Sequence, residues 1–220
     1  MKRVAMIHTV RPVLGSFPQL LQEVVGEEIV MHNILDDFLA SDPAVIGYFS
    51  QDNKNRLFND LKSCELTKAD VIVVTCSTLT PIVQQIRPFI SVPVVAIDDA
   101  MTEQAVQLGR KIKVVATAMS TLKPTIAKLE QEATLAGVTI EVDAQDNEPA
   151  YSAMRKGDMA THDALVLRMI EEVKGYDCIV LAQASMGHLQ AKAQEIAKVP
   201  VLGSPVLCCE KVKKILKEQD

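Results

Sequence analysis

The stretch DVIVVTCSTLTPIVQQIRPFISVPVVAI, residues 70–97, decides the fold, because residues 177–204, DCIVLAQASMGHLQAKAQEIAKVPVLGS, repeat its plan 107 positions later without a gap. The two stretches are identical at Asp70/Asp177, Ile72/Ile179, Val73/Val180, Val92/Val199, Pro93/Pro200 and Val94/Val201. Each copy predicts a buried strand, a short polar loop, an amphipathic helix and entry into a further strand. A weaker match pairs residues 3–10 with residues 113–120, at a spacing of 110. Each half is therefore predicted to begin with an equivalent strand.

Apolar runs of strand length alternate with helical segments along the whole chain. The predicted strands are residues 4–7, 28–31, 71–75, 94–97, 113–116, 138–142, 178–181 and 200–202. Most of these runs are continuous, as in strands buried on both faces of a parallel sheet. Two helices are predicted to end at glycines in the C′ position, Gly109 and Gly137. The pattern predicts an α/β protein of two pseudo-symmetric parallel-sheet domains, residues 1–98 with 204–220 and residues 99–203, with the site in the cleft between them.

Composition and motifs exclude several classes of function. The 220 residues carry 23 basic and 28 acidic side chains, a net charge of -5, without a basic run, so no nucleic-acid partner is expected. No window approaches the roughly 18 apolar residues that cross a bilayer. The first residues do not resemble an export signal, so we expect no membrane partner and a cytoplasmic location. The glycines form no nucleotide-binding motif, and the five cysteines form no CxxC pair, which disfavours nucleotide cofactors, disulfides and structural zinc.

The loop after the strand at residues 71–75 is the first candidate site. Cys76, Ser77 and Thr78 follow the strand, and Thr80 and Pro81 suit the N-cap and first position of the next helix. Free backbone N–H groups and the helix dipole would favour a thiolate at Cys76 and a substrate carboxylate beside it. The alternative is a small residue packed at a strand end.

The same position in the second copy holds a different side chain, since 76 plus 107 places Gln183 opposite Cys76. With these loops, nearly the whole chain resembles the aspartate/glutamate/hydantoin racemase superfamily. Its members have two pseudo-symmetric, flavodoxin-like α/β domains and contribute one cysteine from each. The resemblance rests on three stretches: Thr75-Cys76-Ser77-Thr78, Val115-Ala116-Thr117 with Thr121, which looks like the family's Ala-Thr-x-x-x-Thr stretch, and the loop at 179–186.

The resemblance implies proton transfer at the carbon alpha to a carboxylate in a small amino acid or related acid, with no pyridoxal or metal cofactor. Cys76 matches the first catalytic cysteine. The residues implied to contact substrate are Ser77, Thr78, Thr117, Thr121 and Ser185. Gln183 stands where the family has its second catalytic cysteine. An amide can hydrogen-bond but cannot shuttle a proton near neutral pH. His8 ends the first strand and is a candidate second base, the alternative being a polar residue satisfied by its loop.

Several outcomes stay open with one thiol. The main hypothesis is a cofactor-independent amino-acid racemase or isomerase using Cys76. One-sided chemistry, such as decarboxylation followed by protonation, is the second. The third, from another class, is a catalytically silent relative that binds a small carboxylate. The resemblance also allows a homodimer.

Overall fold

The computed structural model describes residues 1–219 and consists of alternating strands and helices. The strands are β1 (Arg3–His8), β2 (Val30–Leu35), β3 (Val71–Val74), β4 (Val94–Ala96), β5 (Lys111–Val115), β6 (Glu141–Gln145), β7 (Cys178–Leu181) and β8 (Val201–Gly203). The helices are α1 (Arg11–Val25), α2 (Phe38–Ile46), α3 (Gln51–Leu66), α4 (Thr80–Ile86), α5 (Asp99–Leu108), α6 (Met119–Leu135), α7 (Glu148–Arg155), α8 (Met159–Glu171), α9 (Gln190–Ala197) and α10 (Ser204–Glu218). Three 3₁₀ segments cover Ser77–Leu79, Arg87–Phe89 and Ala184–Leu189.

Contacts divide the chain into two units, each built around a four-stranded parallel sheet. Unit 1 contains Met1–Ile97 and the C-terminal segment that starts at Pro205, and its strand order is β2-β1-β3-β4. Unit 2 contains Asp98–Ser204, and its strand order is β6-β5-β7-β8. The two sheets therefore have the same topology, and the prediction of an α/β protein with two parallel sheets is confirmed.

Strand register shows which residues of the two units are equivalent. Ile72 pairs with Val94 in unit 1, and Ile179 pairs with Val201 in unit 2, which preserves the spacing of 107. The predicted spacing of 110 between the first strands is wrong. Val4 pairs with Val71, whereas Ile112 pairs with Cys178, so β1 and β5 correspond at a spacing of 108. The apolar pattern did not resolve this because both strands are buried along their length and offer no alternation to set the register.

The central strands form the core of each unit because their side chains are apolar on both faces. β3 and β7 are buried at every position. In unit 1 they pack with residues of α3 and α4, including Leu57, Leu61 and Val83. In unit 2 the corresponding cluster includes Val166, Ile170 and Ala193 of α8 and α9. Each Val, Leu or Ile side chain among them contributes about 1.5–3 kcal/mol when it leaves water.

The end of α6 explains why β6 begins later than predicted. Gly137 has a φ of 67°, in the left-handed region. Its N–H donates to the carbonyl of Thr134, and the N–H of Val138 donates to the carbonyl of Ala133. These two bonds form a Schellman motif that completes the helix end. Val138 therefore closes α6, and the strand occupies Glu141–Gln145 rather than residues 138–142.

Candidate active site

Cys76 lies two residues beyond the carboxyl end of β3. It is half-buried, and its Sγ lies 3.0 Å from Oγ1 of Thr78, within hydrogen-bonding distance. Ser77 and Thr78 are half-buried beside it. The structure thus places the three residues of the first predicted loop together, and none of the three is fully buried.

The helical segment after Cys76 begins earlier than the sequence predicts. A 3₁₀ turn starts at Ser77, so Cys76 itself, in extended backbone conformation, occupies the N-cap position. Thr80 is buried as the first residue of α4, and the prediction that it caps the helix is wrong. The reason is that the short loop closes directly into helical turns, with the N–H of Leu79 donating to the carbonyl of Cys76.

The other four cysteines are buried. Burial, reinforced by a nearby carboxylate in each case, raises the pKa of Cys64 to about 12, of Cys178 to about 11 and of Cys209 to about 12. A thiol with such a pKa holds its proton near neutral pH and is a poor base. Cys76 is the one cysteine of the five that is only partly buried.

Gln183 occupies the position in unit 2 that Cys76 occupies in unit 1. Both residues have an extended backbone, with φ of -125° for Gln183 and -130° for Cys76, and each directly precedes a 3₁₀ segment. The Oε1 atom of Gln183 accepts hydrogen bonds from the Thr117 N–H at 2.6 Å, the Thr117 hydroxyl at 3.0 Å and the Ala118 N–H at 3.1 Å. The amide is thus tied to the segment that leads into α6.

Two hydroxyl groups that the resemblance implies to contact substrate, those of Thr117 and Thr121, already donate hydrogen bonds within unit 2. Thr117 donates through both its N–H and its hydroxyl to Gln183. The Thr121 hydroxyl donates to the Ala118 carbonyl at 2.8 Å. Ser185 is half-buried in the turn after Gln183. The donors of Thr117 and Thr121 are engaged inside unit 2, and their contact with substrate stays a prediction.

His8 is fully buried at the end of β1. Its Nδ1 lies 2.8 Å from the Thr75 hydroxyl oxygen, and its Nε2 lies 3.0 Å from Oδ1 of Asn33. Burial lowers the pKa of His8, against the opposing effect of the hydrogen bond with Asn33. Both ring nitrogens are therefore occupied in a setting that favours the neutral imidazole.

A hydrogen-bonded cluster of Asp163, His162 and His188 lies beside the turn after Gln183, and the sequence analysis did not predict it. Asp163 Oδ1 accepts hydrogen bonds from His162 Nδ1 at 2.8 Å and from His188 Nε2 at 2.9 Å. The Nδ1 atom of His188 lies 2.9 Å from the Ser185 carbonyl oxygen. The cluster links α8 to the 3₁₀ segment of unit 2. The sequence carries no signal for it, since residues 163 and 188 lie far apart in the chain.

A cavity of about 620 Å³ lies at the carboxyl ends of β5 and β6. Its lining includes Thr117, Ser120, Tyr151, Arg155 and Lys156. The Arg155 guanidinium lies 6.0 Å from the centre of the Tyr151 ring. The cavity thus brings Thr117 together with hydroxyl and cationic side chains and with the carboxylates of Asp146 and Glu148.

Two kinds of feature are absent from residues 1–219. This part of the chain contains no helix that is both long and apolar enough to cross a membrane. Within the same residues, no three or more His, Cys, Asp or Glu side chains are grouped so that they could hold a metal ion.

The fold and the loop around Cys76 define a duplicated parallel α/β protein with a partly buried cysteine just beyond the carboxyl end of a central strand. The chain belongs to the Asp/Glu/hydantoin racemase family, whose model matches residues 35–211. No curated protein sequence matches it.

Solved structures share the fold over the whole chain. An aspartate racemase homologue from Pyrococcus horikoshii OT3 is 19% identical, with a TM-score of 0.75 over 99% of this chain and 100% of that one. Glutamate racemase from Francisella tularensis, solved with D-glutamate, is 16% identical, with a TM-score of 0.70 over 99% of this chain and 82% of that one. Allantoin racemase from Klebsiella pneumoniae is 16% identical, with a TM-score of 0.69 over 100% of this chain and 89% of that one.

Proposed function

We propose that this protein is a cofactor-independent enzyme that transfers a proton at the carbon alpha to a carboxylate, in a small amino acid or related acid. The observation that carries the proposal is Cys76, the partly exposed thiol of a racemase-family chain, hydrogen-bonded to Thr78 at the end of a central strand. Ser77, Thr78, Thr117, Thr121 and Ser185 are the proposed substrate contacts.

In the proposed reaction, Cys76 acts first as the base and then as the acid. The Cys76 thiolate takes the α-proton, and the electron pair of the broken C–H bond moves into the carboxylate, giving an enolate-like species. The resulting thiol exchanges its proton with solvent and returns one to the same face of that carbon, so a turnover exchanges the α-hydrogen; inversion needs a proton from a second group on the opposite face. The hydroxyl of Thr78 lies within hydrogen-bonding distance of the sulfur and can donate to it while the sulfur is anionic.

One thiol limits this chemistry to one face of the substrate. Gln183 has no proton to transfer near neutral pH. His8 stays the candidate for a second base, and it can act only if Thr75 or Asn33 releases one of its ring nitrogens. The engaged His8 and the amide at 183 favour, as the second candidate function, a single-thiol isomerase or decarboxylase, in which Cys76 delivers the proton to one face.

Solvent deuterium exchange tests the proposal. The full-length protein is incubated in D₂O with a panel of L- and D-amino acids and small dicarboxylates, and α-deuteration is followed by NMR. We expect exchange with at least one acid, and loss of that exchange in Cys76→Ala. Cys64→Ala is the matched control, since it removes a buried thiol of the same unit and should leave exchange in place. Wild-type protein that exchanges none of the acids, or Cys76→Ala that retains full activity, contradicts the proposal.

A binding measurement separates an enzyme from a silent relative. Thermal shift with the same acids reports any ligand that binds only the folded protein. Binding without α-deuteration would identify the silent carboxylate binder. The cytoplasmic location stays a prediction of the N-terminal sequence, and the homodimer and chemistry without a pyridoxal or metal cofactor stay predictions of the family resemblance.

A further inference from the structure

We infer that the cavity of unit 2 is a binding site for a small zwitterion whose ammonium and carboxylate groups are several carbon atoms apart. All of its lining residues fall within residues 117–156, so the site belongs to unit 2 alone. The inference does not rest on the proposed function, because Cys76 lies in unit 1 and is not among the lining residues. It follows from the size of the cavity and from the charges on its wall.

The cavity has the size of a small-molecule site, and one side of it has already used its donors. Its volume of about 620 Å³ lies within the range of about 300–1,000 Å³ typical of such sites. On one side, the N–H and hydroxyl groups of Thr117 and the N–H of Ala118 all donate to Gln183. A ligand must therefore be held mainly by the charged side chains of the remaining wall.

These charged side chains form an anionic end and a cationic end. Asp146 directly follows β6 and Glu148 is the first residue of α7, whereas Arg155 is the last residue of α7 and Lys156 is its C-cap. Glu148 and Arg155 are seven residues apart, so their backbones are separated by about 10 Å along the helix. Because seven residues make almost two full turns, both side chains leave the same face of α7. The two ends therefore line one cavity at a distance from each other.

None of the four charges is paired within residues 1–219. The side chains of Asp146, Glu148 and Lys156 form no hydrogen bond or ion pair there. The Arg155 guanidinium interacts with the Tyr151 ring, whose centre lies 6.0 Å away, and with no carboxylate. The side chain that caps α7 is that of the residue between the two acids, which accepts the N–H of residue 150. Opposite charges that line one cavity without pairing leave both signs available to a ligand.

The balance of two acids and two bases selects a ligand that carries both signs. The ammonium group binds at Asp146 and Glu148, and the carboxylate binds at Arg155, whose guanidinium can donate two parallel hydrogen bonds. A simple anion is repelled by the anionic end, and a simple cation is repelled by the cationic end. A compact zwitterion such as glycine carries its charges too close together to reach both ends.

NMR titration of the full-length protein with four probes tests the site. The probes are ε-aminocaproate, its single-charge analogues caproate and hexylamine, and glycine. We expect ε-aminocaproate to bind at least about 5-fold more tightly than each of the other three, because it alone forms a charged contact at both ends. Changes in the ¹H–¹⁵N spectrum should be confined to residues 117–120 and 146–156.

Two double variants remove one end of the cavity at a time. Arg155→Gln with Lys156→Gln leaves the anionic end, so ε-aminocaproate should bind this protein no better than hexylamine does. Asp146→Asn with Glu148→Gln leaves the cationic end, so ε-aminocaproate should bind no better than caproate. Because the four side chains form no ion pair within residues 1–219, both proteins should keep the wild-type melting temperature.

Arg168→Gln is the matched control, because Arg168 is an exposed arginine of the same unit that lies outside the cavity. Its affinity for ε-aminocaproate should equal that of the wild type. Wild-type protein that binds caproate, hexylamine or glycine as tightly as ε-aminocaproate overturns the inference. A folded double variant with wild-type affinity, or spectral changes centred outside the cavity, also overturns it. A failure to exchange α-protons would contradict the proposed function and leave this site in place, since binding is measured without turnover.

Discussion

Gly109 and Asp177 approach so closely that a Cβ atom on Gly109 would lie 2.1 Å from the Cβ of Asp177. The Asp177 carboxylate accepts the N–H groups of Arg110 at 2.6 Å and Lys111 at 2.9 Å. It thereby joins the start of β5 to the start of β7. Gly109 has a φ of -176°, so it is needed for space and not for the left-handed C′ conformation that the sequence predicted.

Gly109→Ala should therefore destabilise the protein by about 1–3 kcal/mol, because the added methyl group must displace Asp177 from two backbone N–H groups. Urea unfolding of the variant and the wild type measures the difference. Gly15→Ala is the matched control, since Gly15 lies in α1 and a Cβ added there would meet no atom within 4 Å. That change should stabilise by about 0.5–1 kcal/mol. Equal stability of Gly109→Ala and wild type would show that β5 and β7 are not held by this contact.

The five cysteines should react very differently with a thiol reagent. Under native conditions at pH 8, we expect one thiol to react rapidly, since Cys76 is half-buried and the other four are buried. Cys64, Cys178 and Cys209 also have pKa values raised by burial, to about 12, 11 and 12, which suppresses their thiolates. Cys76→Ala should lose the rapid phase, and all the remaining thiols should react after unfolding. Rapid labelling of the Cys76→Ala protein would contradict the assignment.

Stability should fall in acid through Asp163. Burial by itself raises the pKa of Asp163, but hydrogen bonds from His162 and His188 outweigh it and leave the pKa below its ordinary value. A carboxyl group with a depressed folded pKa stabilises the protein above its unfolded pKa of about 3.9, and this stabilisation is lost as pH falls through the folded pKa.

Melting temperatures of wild type and Asp163→Asn between pH 2.5 and pH 7 check this expectation. The advantage of the wild type should be full at pH 6 and should shrink below about pH 4. Glu130→Gln removes an exposed carboxylate of α6 and serves as the charge control, with little change across the range. A constant difference between wild type and Asp163→Asn at every pH would assign the effect to packing instead of to charge.

Asp60 should have the opposite pH dependence. Burial, a hydrogen bond with Asp36 and the charge of Asp36 raise the pKa of Asp60 to about 6, against the attraction of Arg56. The folded state holds this proton to higher pH than the unfolded state does, so stability is lost as pH rises from about 4 to about 6.

Asp60→Asn removes the ionisation and should raise the melting temperature at pH 7.5 by about 2–4 °C, with little change at pH 4. Differential scanning calorimetry at the two pH values measures it. Asp52→Asn is the control, because Asp52 is exposed on the same helix, α3. A loss of stability at pH 7.5 in Asp60→Asn would show that ionised Asp60 is an attractive partner for Arg56 and contradict the prediction.

The sequence predicts the strands best where both faces are buried. β7 begins and ends at the residues predicted for it, because four consecutive apolar side chains are typical of a strand buried on both faces. β2 occupies Val30–Leu35 instead of residues 28–31, since it contains the exposed polar residues His32 and Asn33, which interrupt the apolar run. Edge strands share fewer buried positions, and their limits depend on which neighbour they pair with.

By itself, the sequence determined that this protein has two like α/β halves and that Gln183 stands in the second half where Cys76 stands in the first. Apolar periodicity and a gapless repeat are properties of the chain and need no coordinates. Only the tertiary structure decided which donors are already used. The packing of β5 beside β7 brings Thr117 to the Gln183 oxygen, and α8 brings Asp163 to His188. Hydrogen bonds act over about 3 Å, so partners far apart in sequence are defined only once the strands and helices are in place.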